Sequence, residues 1–220
     1  TDIIASGGGT HSDHSLRLGG TALVRASEDI IAEGSRRAAE ILEASVNDVA
    51  YAEGRFTITG TDRAIGLFEL ADHDALAATS IINERLHANP NGAGGCEVEI
   101  DPDTGFVRLD RMYVANDVGT VINPMLLEGQ MHGGLAQGIG QAMFENIVYD
   151  EDTGQLLSAS FMDYAMPRAD NLPAIGTEFQ ETLCLDNPLG AKGVGESGAI
   201  GAPPAVVNAV VDALSAFSVH

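Results

Sequence analysis

The sequence predicts an α+β fold, and two kinds of local pattern support this prediction. Strand-like residues flank a turn in two places, at 49–59 and at 96–114, which is the pattern of a β-hairpin. Long helical patterns occupy about 20–45 and the stretch from Pro124 toward Tyr149. Because strands and helices do not alternate strictly, mixed sheets with packed helices are expected rather than a doubly wound α/β sheet.

The elements of the first half follow from local signals. Ile3-Ile4-Ala5 is typical of a strand end, and a helix over about 20–45 comes after a glycine-led polar loop. This helix is expected to bury one apolar face, formed by Leu23, Ile30, Ala38 and Ile41 with Ile31 and Leu42 beside them. The hairpin at 49–59 turns at Glu53-Gly54-Arg55, and 67–78 is a weak helix candidate.

The second half carries stronger signals. The turn at 101–105, in which Pro102 and Gly105 each preset a backbone angle, joins strands at 96–100 and 106–114. Asn123 as cap and Pro124 at the first position open a helix. An irregular extended stretch is expected at 156–166, a strand at 176–185 and a last helix from Pro203-Pro204. The buried side of that last helix is predicted to hold Val207, Val210, Leu214 and Phe217.

Composition limits the function classes. The 220 residues are 45% hydrophobic, enough to bury a sizeable core in one region over 1–220, with a division into lobes at about 1–115 and 116–220 left open. The formal charge of −21 argues against a nucleic acid or an anionic membrane as partner. No apolar run approaches the length of a membrane span.

The two cysteines, Cys96 and Cys184, form no CxxC pair, so neither a zinc site nor an iron–sulfur cluster is expected in this chain. Buried free thiols are the favoured interpretation, which fits a reducing, cytoplasmic location. The chain opens without Met or a signal peptide and closes without a capping signal. A fragment or a processed subunit is therefore expected.

Three glycine-rich segments are candidate ligand sites, and each has a structural alternative. Gly193, Gly195 and Gly198 surround Glu196, which suits either a general base in front of a bound group or an ordinary turn with a solvated carboxylate. The loop at 7–15 suits a helix cap or an anion site. A stripe of small residues predicts close packing against either a backbone or a flat ligand, with Gln130 and Gln137 beside it. Its members are Gly129, Gly133, Ala136 and Gly140.

Four segments together resemble the C-terminal half of the molybdenum-binding large subunit of the xanthine dehydrogenase / aldehyde oxidase / carbon monoxide dehydrogenase family. The likeness covers nearly the whole chain, and the order and spacing of the segments make it specific. The segments are Gly9-Thr10-His11-Ser12-Asp13-His14-Ser15 followed by Gly19-Gly20; Cys96 to Gly105; Asn123-Pro124 with Glu128 to Gly134 and Gln137 to Gly140; and Lys192-Gly193-Val194-Gly195-Glu196-Ser197.

The resemblance implies a molybdopterin-binding domain and an oxidoreductase that hydroxylates an electron-poor carbon, in an aldehyde or an N-heteroaromatic compound, with oxygen derived from water. It places the catalytic base at Glu196. It also implies cofactor contacts, which the family motifs put at Thr10, His11, Ser12, Ser15, Gln130, Lys192, Gly193, Val194 and Gly195. No protein side chain is expected to ligate the metal, and a metal site at His11 and His14 is disfavoured.

The resemblance further implies partners and leaves alternatives open. The molybdopterin form stays open between the plain cofactor and its cytosine dinucleotide, since His14 replaces an Arg that many bacterial relatives carry in a Gly-Ser-Arg-Ser loop. The N-terminal half of the family subunit, or a companion molybdenum subunit, is expected as a partner. Iron–sulfur and FAD groups are expected on other subunits. One alternative is a non-catalytic scaffold or truncated fragment that binds no cofactor alone. Another is a nucleotide-binding enzyme, disfavoured because no GxxxxGK[ST] motif occurs.

Overall fold

A computed structural model of the protein describes residues 9–84 and 86–217, with nothing described for the side chain of Ser12. The predicted strand end at Ile3-Ile4-Ala5 lies outside these residues. The chain divides into two compact units, one containing His14–Leu86 and the other containing Thr10–Asp13 and His87–His220. The division falls between Leu86 and His87 rather than near residue 115, because residue 115 lies inside a strand, Val107–Asp117, that pairs with strands on both sides in one sheet.

The first unit packs a long helix on a small meander. Helix α1 (Gly20–Ile41) is followed by β1 (Val49–Ala52), β2 (Arg55–Ile58), β3 (Ala64–Gly66) and helix α2 (Leu67–His73). The three strands are antiparallel in the order β1-β2-β3, which confirms the hairpin predicted at 49–59. The core of this unit is built from Ala38, Phe56, Ile65 and Leu70.

The predicted buried face of α1 is partly wrong. Leu23 is 71% exposed and Ile41 is 45% exposed. Small residues face the interior instead, because the Phe56 ring lies where a side chain on Gly34 would stand. The buried residues of α1 are Thr21, Gly34, Ala38 and Ala39. The prediction relied on large apolar residues. It therefore did not identify the buried face, where small residues allow the sheet to pack close to the helix.

The second unit is built on a mixed sheet of β4 (Asn91–Ile100), β5 (Val107–Asp117) and β6 (Ala174–Gln180), in that order. Strands β4 and β5 are antiparallel and confirm the second hairpin, whereas β6 runs parallel to β5. A register shift opposite Glu97 and Val98 leaves Asp110 as an extra residue in β5. Since a one-residue bulge reverses which face a side chain takes, Leu109 and Met112 both reach the core.

Two helices pack with this sheet. Helix α3 (Pro124–Met143) begins as predicted: Asn123 Oδ1 accepts a hydrogen bond from Leu126 N at 3.1 Å, and Pro124 occupies the first turn. The core of the unit joins α3, helix α4 (Ser197–Ala213) and the sheet. Its buried members are Leu109, Met112, Val114, Met131, Leu135, Ile139, Ala202 and Val206. The expectation of an α+β fold is confirmed.

The predicted start and buried face of the last helix are wrong. Helix α4 begins at Ser197, so that Pro203 and Pro204 lie inside it. Its buried residues are Gly198, Ala202 and Val206, whereas Val207 is 53% and Phe217 77% exposed. Proline prefers the first turn of a helix, but here α4 starts earlier because its first residues pack against small residues of α3. Tertiary contacts often override such local preferences.

The glycine stripe predicted on α3 is partly wrong. A Cβ atom at Gly129 or Gly133 would meet nothing within 4 Å, whereas one at Gly138 would lie 2.7 Å from Ala202 Cβ. Gly134 likewise faces α4, at the backbone of Gly198 and Ala199. Close packing therefore uses Gly134 and Gly138 and, from the predicted stripe, Gly140, where a Cβ atom would lie 2.8 Å from Pro167 Cγ and Cδ. Among the helices of the described residues, none is long and apolar enough to cross a bilayer.

Candidate active site

The segment Lys192–Glu196, called here the Glu196 loop, leads into α4 and begins beside the end of β5. Lys192 N donates to Val118 O at 2.8 Å, and Ala191 forms an isolated β-bridge with Gly119. At the other end, Glu196 caps α4, and its carbonyl accepts from Ile200 N at 2.9 Å. The side chain of Glu196 is exposed. The loop is thus held at both ends, and it presents one carboxylate at the entrance to a helix.

Gln130 links helix α3 to this loop. Its Nε2 donates a hydrogen bond to Gly195 O at 2.7 Å, and its side chain is exposed. Because the amide nitrogen is the donor, the other amide atom, Oε1, is the acceptor of the side chain. The residue predicted from the sequence to contact a cofactor therefore stands directly beside the residue predicted to be the base.

A buried ion pair fixes the first residue of the loop. Lys192 Nζ lies 2.7 Å from Asp117 Oδ2, and their side chains are only 10% and 11% exposed. The hydrogen bond from Lys192 lowers the pKa of the Asp117 carboxyl to about 2, and donors at Gly119 N and Thr182 N add to the effect. A pKa lowered by folding stabilises the fold above the unfolded value of about 3.9. That contribution is lost only as the pH falls through about 2.

The loop at 10–15 is divided between the two units. Thr10 and His11 are exposed and belong, with Asp13, to the unit that holds Glu196, whereas Ser15 belongs to the first unit. The Asp13 carboxylate lies so close to Gly193 that any Cβ atom there would overlap it. The structure thus brings Asp13 against the Glu196 loop, where the sequence gave it no role.

A cavity of about 240 Å³ opens at the start of α4. Ser197, the residue after Glu196, forms part of its wall; the sequence motif contains Ser197 but assigned it no role. Its remaining lining combines main chain, small side chains and three larger apolar side chains with one buried amide, and consists of Pro90, Asn91, Gly92, Ala93, Gly94, Val114, Asn116, Ile200 and Gly201. Most binding pockets combine apolar walls with a few polar groups in this way.

The structure separates the predicted site residues into two groups. Gln130, Gly193, Gly195 and Glu196 come together, while two predicted contacts are engaged elsewhere: Lys192 pairs with Asp117, and Val194 packs against the core of the second unit. Asp117 was missed because it lies 75 positions from Lys192, and no local signal joins them. Among the described residues, no group of three His, Cys, Asp or Glu side chains is placed to hold a metal ion.

Known proteins are similar to this chain in sequence and in fold. The family described as "Molybdopterin cofactor-binding domain" matches residues 1–173. The 6-hydroxypseudooxynicotine dehydrogenase complex subunit gamma of Paenarthrobacter nicotinovorans is 37% identical over 98% of this chain and 29% of its own length. The carbon monoxide dehydrogenase large chain of Afipia carboxidovorans is 37% identical over 97% of this chain and 28% of its own.

Solved structures agree with these matches. Reconstituted CO dehydrogenase from Oligotropha carboxidovorans superimposes with a TM-score of 0.87 at 36% identity, covering 97% of this chain and 28% of that one. Quinoline 2-oxidoreductase from Pseudomonas putida 86 gives a TM-score of 0.79 at 34% identity, over 94% of this chain and 28% of that one. The chain therefore spans less than a third of the length of these relatives.

Proposed function

The chain belongs to the molybdenum-cofactor-binding large-subunit family of oxidoreductases, and from this premise we propose that it carries the catalytic base of a molybdenum hydroxylase. The base is Glu196. One observation carries the proposal: an exposed carboxylate stands on a loop fixed by Lys192 on one side and by Gln130 and α4 on the other. A general base needs such a fixed position, because proton transfer depends on geometry before it depends on pKa.

The residues at the loop fit a pterin cofactor. A pterin is rich in nitrogen and oxygen atoms, and the Gln130 amide beside Gly195 offers matching hydrogen-bonding groups. Gly195 leaves the main chain open to a neighbour, whereas Asp13 fills the space in front of Gly193, and the adjoining cavity is lined by Ser197 and Asn116. The residues proposed to hold the cofactor are Thr10, His11, Ser12, Ser15, Gln130, Gly193 and Gly195, with Lys192 and Val194 contributing main-chain groups because their side chains are engaged elsewhere.

The proposed mechanism assigns one task to each residue. When bound, the cofactor supplies a Lewis-acidic metal that lowers the pKa of water and accepts two electrons. Glu196 accepts the proton of the attacking water on its carboxylate. Gln130 holds Gly195 by its carbonyl and thereby fixes the backbone next to the base. Ser197 and Asn116 line the neighbouring cavity, where a small substrate is held.

Substrate and partners extend this proposal. Relatives are named for 6-hydroxypseudooxynicotine, nicotine and carbon monoxide, and a structural neighbour for quinoline. We propose an aldehyde or an N-heteroaromatic compound as the substrate. The active enzyme is proposed to need the remainder of the large subunit, together with cytoplasmic iron–sulfur and flavin subunits. The cofactor takes either the plain or the cytosine dinucleotide form, which nucleotide release on acid hydrolysis distinguishes.

Oxygen labelling tests the proposed chemistry. The full-length subunit, purified with its partner subunits, is incubated in H₂¹⁸O with nicotine, quinoline or benzaldehyde and an artificial electron acceptor. We expect the hydroxylated or oxidised product to carry ¹⁸O from water, because the base acts on water. Mass spectrometry of the product is the measurement. A parallel reaction under ¹⁸O₂ in ordinary water is the control, and label taken from O₂ would contradict the proposal.

Replacing Gln130 tests the cofactor site. In Gln130→Met the hydrogen bond to Gly195 is lost, so we expect reduced molybdenum and pterin content after purification. The fold should lose only about 0.5–1.5 kcal/mol, the net value of one hydrogen bond. The matched control is Gln137→Met, which changes an exposed glutamine on the same helix. Equal cofactor content in the two variants would remove Gln130 from the site.

A further inference from the structure

We infer that Asp117 and Lys192 act as positioning residues that hold Glu196 in place, so that Lys192 serves through its ion pair and not through a direct charge on the cofactor. This inference rests on the proposed function of Glu196. Lys192 is the only lysine in the chain, and a cationic side chain beside a cofactor site suggests an anion contact. Its ammonium group is already engaged with a carboxylate in a nearly buried place.

The Asp117 carboxylate joins three segments of the second unit. Its Oδ2 faces Lys192 Nζ at 2.7 Å. Its Oδ1 accepts from Gly119 N at 3.1 Å and from Thr182 N at 3.2 Å. The end of β5, the segment after β6 and the start of the Glu196 loop therefore meet at one side chain. Both oxygens have donors, which is the condition under which a buried carboxylate is stable.

Backbone contacts hold the part of the chain that precedes the Glu196 loop. Lys192 N donates to Val118 O at 2.8 Å, and Thr120 N donates to Gly190 O at 3.0 Å. Asn187 Oδ1 accepts a hydrogen bond from Ala191 N at 3.3 Å, and Asn187 Nδ2 donates one to Ala191 O at 3.0 Å. The chain up to Lys192 is thus tied to the sheet. From there to the bond between Gln130 and Gly195, only Gly193 and Val194 intervene.

Loss of either charge has a specific consequence for the loop. A buried charge without its partner is strongly unfavourable, so the remaining group is expected to turn toward solvent. The backbone bond from Lys192 N to Val118 O would then be weakened, and beyond it the described residues hold Gly193 only through its contact with Asp13. Glu196 would remain chemically intact but would sample positions from which it cannot reach the reacting proton. An error of about 1 Å in such a position is enough to slow a reaction about 100-fold.

Hydrogen exchange and kinetics together test the inference. Asp117→Asn, Lys192→Met and the double variant are made in the full-length subunit with its partner subunits. Exchange of the amides at 193–197, followed by mass spectrometry, is expected to become at least about tenfold faster in both single variants. For the substrate that the wild-type enzyme hydroxylates, kcat should fall at least about tenfold with KM unchanged, and the double variant should be no slower than either single one.

Two controls separate positioning from general damage. Lys192→Arg keeps the charge and should restore both slow exchange and kcat. Arg111 lies on β5, as Asp117 does, and Arg111→Met breaks an exposed ion pair with Glu97. This variant should change neither the exchange at 193–197 nor kcat. Exchange and kcat within twofold of wild type in Asp117→Asn and Lys192→Met would overturn the inference. If Glu196→Gln instead leaves turnover unchanged, the proposed function fails, and exchange at 193–197 still decides whether the pair holds the loop.

Discussion

Glu196→Gln is expected to abolish hydroxylation while leaving the molybdenum content of the enzyme intact. The amide keeps the size and the exposed position of the side chain at the start of α4 but cannot accept the proton. Loss of a positioned general base typically costs about 10²–10⁴-fold in rate. The measurement is kcat, with metal analysis on the same sample, so that loss of chemistry is distinguished from loss of cofactor.

A matched substitution controls for the change of charge. Glu151 lies exposed in the turn that follows Asp150, far along the chain from the loop. Glu151→Gln removes the same negative charge and should leave kcat unchanged. Turnover in Glu196→Gln equal to that of Glu151→Gln would remove Glu196 from the catalytic role. The chain would then be better described as a scaffold that holds the fold of the site without taking part in the reaction.

Gly138→Leu is expected to lower the stability of the second unit strongly. A Cβ atom at this position would lie 2.7 Å from Ala202 Cβ and 3.0 Å from Ala199 O and from Pro203 Cδ. Helices α3 and α4 would have to separate, and such overpacking typically costs about 1–3 kcal/mol. Because Glu196 precedes α4 and Gln130 lies on α3, the same change should also lower cofactor content. Thermal unfolding measures the effect.

Gly133→Leu is the control on the same helix. A Cβ atom there meets nothing within 4 Å, and Gly133 is exposed. Replacing glycine by a good helix former at an open position should stabilise the helix by about 0.5–1 kcal/mol. Similar unfolding temperatures for the two variants would contradict the close contact between α3 and α4 at Gly138.

The sequence predicted those elements whose signals are local. Asn123 and Pro124 marked the start of α3 because a cap and a first-turn proline act within one helical turn. The turn between β4 and β5 was equally readable, since Asp101 Oδ1 accepts from Asp103 N and Thr104 N two and three residues away. The start of α4 could not be found in this way. It depends on Gly198 packing against Met131 and Leu135, which are remote in the chain.

The candidate site shows the same limit. Family motifs identified Glu196 and Gln130, and the structure places Gln130 in contact with the residue before Glu196. The pairing of Lys192 with Asp117 was not predictable, because it depends on how the end of β5 meets a loop 75 positions later. The motif predicts which residues lie near a cofactor but not whether each would act by its side chain or by its backbone.

Molybdenum and pterin analysis of the full-length subunit, purified with its partner subunits from a host that makes the cofactor, tests most directly whether this chain helps to form a molybdenum site. We expect stoichiometric molybdenum and pterin in the assembled complex, with pterin fluorescence after oxidation as the second readout. A folded and assembled complex that contains neither would contradict the proposed function, and the Glu196 loop would then be a structural feature of a non-catalytic scaffold.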